Sequence, residues 1–345
     1  MASDTIQSIT IEGFKSIRSI KDLPLRPINL LIGANGSGKS NFLEAFVFLE
    51  EILYGRIDDY VIGNGGAGNL LHFGSRETEN ILIGWAEGSG GTYFANVQLQ
   101  VDDSLHPQNG DDLQRLRGSA AYGGYGRIVP SWRRYQFHDT GRHSPIKKTN
   151  QIDDNRSLRS DGANLAAFLH LLKVRYVDSY DLIRKTVQQV APFFVDFQLE
   201  PLALNPDTIK LEWRHKRSDQ YFDASAFSDG TLRFIALATL FLQPVELRPS
   251  VILVDEPELG LHPYAIKLLA SLMRQASKET QVIVATQSSL LVDHFDPEDV
   301  LVANRVDGAT TIERLNPKPL AEWLLDYSLG QLWEKGELEG RPVPE

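Results

Sequence analysis

Residues Gly33 to Ser40 read "GANGSGKS", a glycine-rich run that closes on a lysine and a hydroxyl residue. This is the full G-x-x-x-x-G-K-[ST] spacing of a loop that wraps phosphate. Gly33, Gly36 and Gly38 carry no Cβ to hold the backbone away. Amide N–H groups and the following helix N-terminus can therefore aim at phosphate oxygens. Asn35, Ser37 and Asn41 fall within or beside the same cradle. Lys39 is placed to neutralise β- and γ-phosphates, and Ser40 to ligate Mg²⁺. The ligand implied is a β,γ-phosphate group with Mg²⁺.

Two further segments supply groups suited to phosphate chemistry. In "VILVDEPELGLHP" four apolar residues form a buried strand that ends on Asp255 and Glu256. The C-terminal end of such a strand is where an open α/β sheet holds its ligand. Asp255 would hold Mg²⁺ through water, and Glu256 would polarise an attacking water. A solvated turn is the competing account of two adjacent acids. "VIVATQSS" is another buried strand with a polar end, from which Thr286, Gln287 and Ser288 could reach a γ-phosphate. Taken alone that end is commonplace.

A fourth stretch, "AFSDGTLRFIALATLF" from Ala226 to Phe241, puts a turn at the head of an apolar helix. Read by itself it is a cap. Ser228 or Asp229 caps, Gly230 bends, and Leu232, Ile235, Ala236, Ala238 and Leu240 bury one face.

The elements that must position these groups alternate between strand and helix. "TIQSITIEGFKSIRSIKDLPLRPINLLIGANG" gives strands running into the glycine loop, and "KSNFLEAFVFLEEIL" a helix with Phe42, Leu43, Phe46, Leu49 and Leu53 on one side. "ILIGWAE" and "TYFANVQLQVD" predict a hairpin. From about Asp102 to Pro130 the polar, glycine-rich text predicts an exposed insertion. Helices follow in "NLAAFLHLLK" and "YDLIRKTVQQVAPFF", strands in "VDFQLEPLAL" and "TIKLEWRHK", and a last helix in "AIKLLASLMRQAS". Strand–loop–helix alternation at both ends argues for an α/β fold.

The bulk properties set limits. A chain of 345 residues with 42% hydrophobic composition can bury a large core. A formal charge of -10 argues against wrapping nucleic acid by charge alone, although local basic patches remain open. The absence of cysteine excludes disulfides, thiolate zinc sites and cysteine nucleophiles. "MASDTIQSIT" has no signal-peptide pattern and no apolar run approaches a membrane span, so a soluble, cytoplasmic protein without a membrane partner is expected.

These pieces in this order resemble the ATP-binding-cassette (ABC) ATPases, and within that class the soluble RecF/SMC/OLD-type heads. The match rests on "GFKSIRSI", the P-loop, "FSDGTLRF", "VDEPELGLHP", "ATQSS" and the tail "LLDYSLGQLWEKGELEG", which is similar to small bacterial ATPases of the AAA family. The resemblance implies an α/β P-loop ABC-ATPase head with a mixed or parallel core sheet, an antiparallel β subdomain and a helical lobe, and ATP as the ligand of the P-loop. It divides the chain into an N-terminal ATPase lobe (1–101), an insertion and helical lobe (102–195) and a C-terminal ATPase lobe (196–345).

The resemblance also gives the capped turn a role. In such heads two copies pair head-to-tail, and Ser228 and Gly230 would cap the γ-phosphate bound to the partner copy's P-loop lysine. Asp229 departs from the usual Gly-Gly form and is expected to point aside. By the same carry-over Lys15, with Phe14 and Ser16, would contact base and α-phosphate, and Glu258 to His262 would link the two sites. Gln287 stands where many cassettes have a histidine. It can bond a phosphate but takes no proton, so slow turnover by the catalytic set Glu256, Lys39 and Gln287 is implied. No residue stands out as the glutamine that links the Mg²⁺ site to the helical lobe.

What the ATPase would drive stays open between three classes. The first is a homodimeric or larger ATP switch that holds or senses DNA and controls a separate nuclease or other effector, in DNA repair or antiviral defence. The second is an ATP-gated scaffold for a protein partner without DNA. The third is a transporter motor, which the "GFKS" start argues against. A coiled-coil SMC arm and a nuclease domain are both missing from the text. Arg133, Arg134, Arg142, Lys147, Lys148, Arg156 and Arg159, with Trp132 and Tyr135, form a basic stretch, and Arg214 to Arg217 a second. Either is a phosphate-binding face or a solvated face with local acids such as Asp139, Asp153 and Asp154. His138, Asp139 and His143 are thin grounds for a metal site.

Overall fold

The computed structural model describes residues 5–88, 91–100, 104–107 and 132–338. Most of the expected 102–130 insertion therefore lies outside the described residues, as does the end of the tail. Its described part, Ser104–Pro107, is not loop. Leu105–Pro107 is a strand, because Leu105 is fully buried and the segment continues the sheet begun by the hairpin before it.

The chain divides into two compact units that are discontinuous in sequence. One comprises Met1–Arg134, Pro249–Asp255 and Thr280–Glu345, and the other Tyr135–Arg248 and Glu256–Glu279.

In the first unit a five-stranded antiparallel sheet has the order β2-β1-β4-β5-β6, formed by Ile6–Phe14 (β1), Ile17–Pro24 (β2), Asn80–Glu87 (β4), Thr92–Leu99 (β5) and Leu105–Pro107 (β6). The expected hairpin is present as β4 and β5, with Ala86 opposite Thr92. A six-stranded sheet is formed by Ile28–Ile32 (β3), Trp132–Tyr135 (β7), Val251–Asp255 (β13), Gln281–Ala285 (β14), Val300–Val306 (β15) and Ala309–Arg314 (β16). Its order is β16-β15-β3-β14-β13-β7. β15, β3, β14 and β13 run parallel, and β16 returns antiparallel.

The three central strands, "INLLI", "VILVD" and "QVIVA", are buried at every residue, as parallel strands covered on both faces must be. Helix α1, Lys39–Tyr54, supplies one cover and is followed by the short helix Ile57–Gly63 (α2). Helix α1 packs against β1 of the antiparallel sheet and against β13 and β14 of the parallel one. Phe42, Phe46 and Phe48 enter the core with Trp85, Trp132, Leu253 and Ile283. Phe46 meets Trp132 edge-on at 5.8 Å, and Trp132 meets Trp85 at 5.7 Å. Such pairs add to the burial of area itself.

The second unit is built around helices Leu165–Arg175 (α3), Val177–Val190 (α4), Asp229–Leu242 (α5) and Pro263–Ala276 (α6), with small antiparallel sheets formed by Asn150–Gln151 (β8), Phe194–Gln198 (β9), Thr208–Ile209 (β10), Glu212–His215 (β11) and Tyr221–Asp223 (β12). The sequence predicts a one-sided α5. The helix is instead buried at every residue from Leu232 to Leu242, because α4 and α6 pack on it from different sides. Among the described residues no helix is long and apolar enough to cross a membrane.

Candidate functional site

The parallel register fixes what converges at one edge of the first unit's sheet. Asp255 lies opposite Ala285, and Ala285 opposite Leu31. The Thr286 amide donates to the Leu31 carbonyl oxygen at 3.0 Å. Two residues past Leu31 begins Gly33, and two past Ala285 stands Gln287. The glycine loop, Asp255 and Gln287 thus leave the same C-terminal edge of adjacent strands, where α/β sheets hold ligands. Asp255 is buried, whereas Gln287 is exposed.

The glycine loop is shaped for close backbone approach. Gly36 and Gly38 have φ of 78° and 97°, in the left-handed region that favours glycine. A Cβ on Gly38 would sit 2.0 Å from Thr310 Oγ1 and 2.8 Å from Ser16 Oγ. Lys39 is buried and folds back over its own loop, donating to the carbonyl oxygens of Gly33 and Ala34, both at 2.8 Å. Ser37 Oγ is buried without a hydrogen-bond partner among the described residues. A hydroxyl unmet among the described residues, a lysine whose tip donates to two loop carbonyls and a helix N-terminus without a side-chain cap together suit a phosphate with its cation. Asn35 and Ser40 are exposed at the loop's rim.

Thr310, which the sequence reading missed, braces this loop together with Ser16 and Asn41. Thr310 donates to the Ser37 carbonyl oxygen at 2.9 Å, Ser16 Oγ lies 2.8 Å from Thr310 Oγ1, and Asn41 Nδ2 donates to Ser16 Oγ at 2.7 Å. Asn41 therefore spends its amide on the brace. Lys15 has φ of 50°, and its ammonium is ion-paired with Glu44 of α1, which also accepts from Tyr60. Phe14 is wholly buried and stacks on Phe48. Neither side chain is turned toward the loop's phosphate cradle by these contacts.

Asp255 has an unforeseen neighbour. Arg134 donates from Nη2 to Asp255 Oδ2 at 2.7 Å, on a strand that flanks β13. The sequence signal was only a basic residue in a basic stretch. The next residue, Glu256, has φ of 42°, a strained conformation for a non-glycine side chain and one found at functional sites.

In the second unit the Ser-Asp-Gly-Thr turn is a helix cap. Ser228 Oγ accepts from the Thr231 amide at 3.2 Å and lies 2.8 Å from Thr231 Oγ1. Phe227, just before the cap, is buried and stacks on Trp213 at 4.4 Å. Ser228 remains exposed, and Asp229 is drawn to Lys147 at 3.3 Å. Gly230 is obligatory for space, since a Cβ there would stand 2.3 Å from the Gly260 carbonyl oxygen. Arg233 ties the surrounding loops together. Its Nε and Nη2 donate to the carbonyl oxygens of Phe137 (2.9 Å) and His138 (3.0 Å), and its Nη1 to that of Leu259. Burial lowers its pKa from the ordinary value, while Asp229 raises it.

The basic stretch does not form one face. Arg134 serves Asp255, Lys147 serves Asp229 and Arg159 serves Asp154 at 2.8 Å, which leaves Arg142, Lys148 and Arg156 exposed. Arg214, Lys216 and Arg217 are exposed beside the buried Trp213. Among the described residues no group of three or more His, Asp or Glu side chains could hold a metal, so His138, Asp139 and His143 do not gather into such a site.

Two family models match the chain. Residues 5–78 match "AAA ATPase domain", and residues 123–293 match "AAA domain, putative AbiEii toxin, Type IV TA system". A DNA replication and repair protein RecF from Shewanella denitrificans is 47% identical over 45 residues, which are 13% of this chain and 12% of that protein. The chain thus matches only a small part of its curated relative's length. The solved structure of an SmcHead bound to the C-winged helix domain of ScpA aligns with TM-score 0.63 and 17% identity, over 92% of this chain and 99% of that one. The SMC head domain from Thermotoga maritima aligns with TM-score 0.52 and 16% identity, over 90% and 99%. At such identities the likeness is one of fold. With the motifs above and the two AAA matches, the chain has the fold of an ABC-type ATPase head and is similar to those of the RecF/SMC-like group.

Proposed function

We propose that the protein is an ATP-driven switch in which two copies pair head-to-tail around ATP and Mg²⁺ and thereby control a DNA-related process or a separate effector. The observation that carries this reading is the shared strand edge, where a phosphate-shaped loop, Asp255 and Gln287 lie on neighbouring parallel strands.

In this reading the amides of Gly36 to Ser40 and the Lys39 ammonium bind the β- and γ-phosphates, with Asn35 at the margin, while Lys15 stays with Glu44. Lys39 would exchange its two carbonyl partners for phosphate oxygens, which is favourable because a charged acceptor makes the stronger bond. Ser40 and Asp255 would hold Mg²⁺, whose charge would offset that of the phosphates when bound. Glu256 would take a proton from the attacking water, and Gln287 would orient it by hydrogen bonding. A glutamine accepts no proton, so turnover is slow.

The exposed Ser228, Gly230 and the free amides of the α5 N-terminus would complete a partner copy's site. Asp229 is already engaged by Lys147, which blunts its repulsion of phosphate. The DNA-related role is supported by the short likeness to RecF, and antiviral defence by analogy alone.

The test is solution mass by light scattering of Glu256→Gln with and without ATP and Mg²⁺, repeated with Ser228→Arg added. Pairing that requires ATP and is abolished by Ser228→Arg supports the reading. Pairing that survives Ser228→Arg, with ATP binding intact, leaves Ser228 as a helix cap only. A salt-dependent DNA shift of the paired form would separate a DNA role from a protein-only scaffold.

A further inference from the structure

We propose that Arg134 is an electrostatic placeholder for the metal, a positioning residue that neutralises Asp255 until Mg²⁺ arrives and must then leave it. The inference rests on the reading of Asp255 as a Mg²⁺-holding carboxylate.

A carboxylate as buried as Asp255, whose side chain is 6% exposed, is costly without a counter-charge. Arg134 supplies one at 2.7 Å, and its own side chain is 19% exposed. The geometry is that of a releasable contact. A structural arginine–carboxylate pair is commonly a two-pronged fork. Arg134 instead reaches Asp255 through Nη2, and its buried Nε has no hydrogen-bond partner among the described residues. The pair therefore compensates charge while leaving one donor unmet, an arrangement that a divalent ion can displace.

Position supports the same role. Arg134 sits on the strand next to β13, and Asp255 ends β13 at the edge where the glycine loop begins. A guanidinium on Oδ2 and a Mg²⁺ held by the same carboxylate, directly or through water, would lie within a few ångströms and repel. Binding of metal thus drives Arg134 away, a competition that weakens metal affinity and ties it to a side chain on the flanking strand. The cost prevents divalent ions from settling on Asp255 before a nucleotide adds its own phosphate ligands.

The experiment uses the full chain with Mn²⁺ as the probe, followed by electron paramagnetic resonance at saturating non-hydrolysable ATP analogue. Arg134→Gln should bind Mn²⁺ at least about fivefold more tightly than the parent, since the competing charge is gone. Arg134→Lys, which keeps a cation, should stay near the parent. Analogue affinity in EDTA should be the same in all three. Equal or weaker Mn²⁺ binding by Arg134→Gln overturns the proposal. A loss of analogue affinity in EDTA also overturns it, by assigning the arginine to phosphate.

Should Arg134→Gln fail to fold, the unaltered chain still decides. Its Arg134 Nε–H resonance, located with Arg134→Lys, should shift when Mg²⁺ joins the analogue and not when the analogue is added in EDTA. No metal-dependent shift overturns the proposal. A parent that binds no analogue under any condition would instead sink the nucleotide reading itself.

Discussion

The hydroxyl of Thr310 donates a hydrogen bond to the carbonyl oxygen of Ser37, 273 residues away in sequence, at 2.9 Å. It thereby pins the middle of the glycine loop to the sheet-edge strand β16. The Thr310 amide also donates to the Ser16 carbonyl oxygen at 2.7 Å, so strand, β1–β2 turn and loop form one frame. A loop fixed before the ligand arrives loses less entropy on binding. Thr310→Val keeps the shape and removes the donor, leaving the Ser37 carbonyl unmet. ATP affinity should fall about five- to tenfold, roughly the worth of one hydrogen bond, and the melting temperature by a few degrees. Titration with a fluorescent ATP analogue measures this, and unchanged affinity would remove Thr310 from the site's support.

Gly38 faces the same threonine. With φ of 97° and a prospective Cβ 2.0 Å from Thr310 Oγ1, Gly38→Ala meets both backbone strain and a clash. It should lower ATP affinity more than Thr310→Val does. The two changes should also be non-additive, because they act through one contact. A double-mutant cycle on analogue binding checks the coupling, and strict additivity would show that the loop relaxes independently of β16.

Lys39 offers a test that separates charge from shape. Its ammonium bonds the Gly33 and Ala34 carbonyl oxygens, contacts worth less than those a phosphate would give. Lys39→Met keeps most of the buried stem and removes the charge. Calorimetric titration should show ATP affinity reduced about a hundredfold, the worth of one or two charge-assisted hydrogen bonds. ATP with Mg²⁺ should raise the parent's melting temperature and leave that of the variant nearly unchanged. A full thermal shift in Lys39→Met would place the phosphates elsewhere.

Much of the site was legible because it is written in contiguous residues. The spacing from Gly33 to Ser40, the strand ending on Asp255 and the strand ending before Gln287 each carry their own local signal. The likeness to SMC heads agrees with the fold class drawn from them. What escaped is contact between distant residues. Arg134 looks in sequence like any member of a basic stretch, and only the placement of β7 beside β13 brings it to Asp255. Thr310 belongs to a hairpin whose signal was present and overlooked. Asp307 and Gly308 both have positive φ, 48° and 72°, as an Asp-Gly turn between two apolar strands requires. Leu105 escaped for the opposite reason, a three-residue strand within glycine-rich polar text.

Arg233 is the next expectation, and it concerns stability. A buried guanidinium donating to the carbonyl oxygens of Phe137, His138 and Leu259 holds three loop positions around the start of α5. Arg233→Met keeps the stem in its apolar surroundings and strands those acceptors, a loss of about 2–4 kcal/mol. Arg233→Lys should recover only part, because an ammonium lacks the planar fork that reaches them together. Denaturant unfolding followed at the second unit's Trp213 would report the change. A loss below about 0.5 kcal/mol would mean that water replaces the guanidinium at little cost.

Glu50 on α1 gives the protein a pH dependence of stability. Burial, with Glu51 adding to it, pushes its carboxyl up to about 7, against the opposing pull of Arg133 and Arg56. The folded chain therefore keeps a proton that the unfolded chain releases near the ordinary carboxylate pKa. Between that value and about 7 the folded state binds more protons, so the contribution of Glu50 to stability is intact below the window and falls as pH rises through it. Glu50→Gln imitates the protonated form. It should leave stability near pH 4.5 almost unchanged and raise it at pH 8 by about 1–2 kcal/mol, a figure discounted for the group's partial exposure. Parallel unfolding curves of parent and variant across that range measure the difference. A gain that is equal at both ends would assign the effect to packing rather than to the proton.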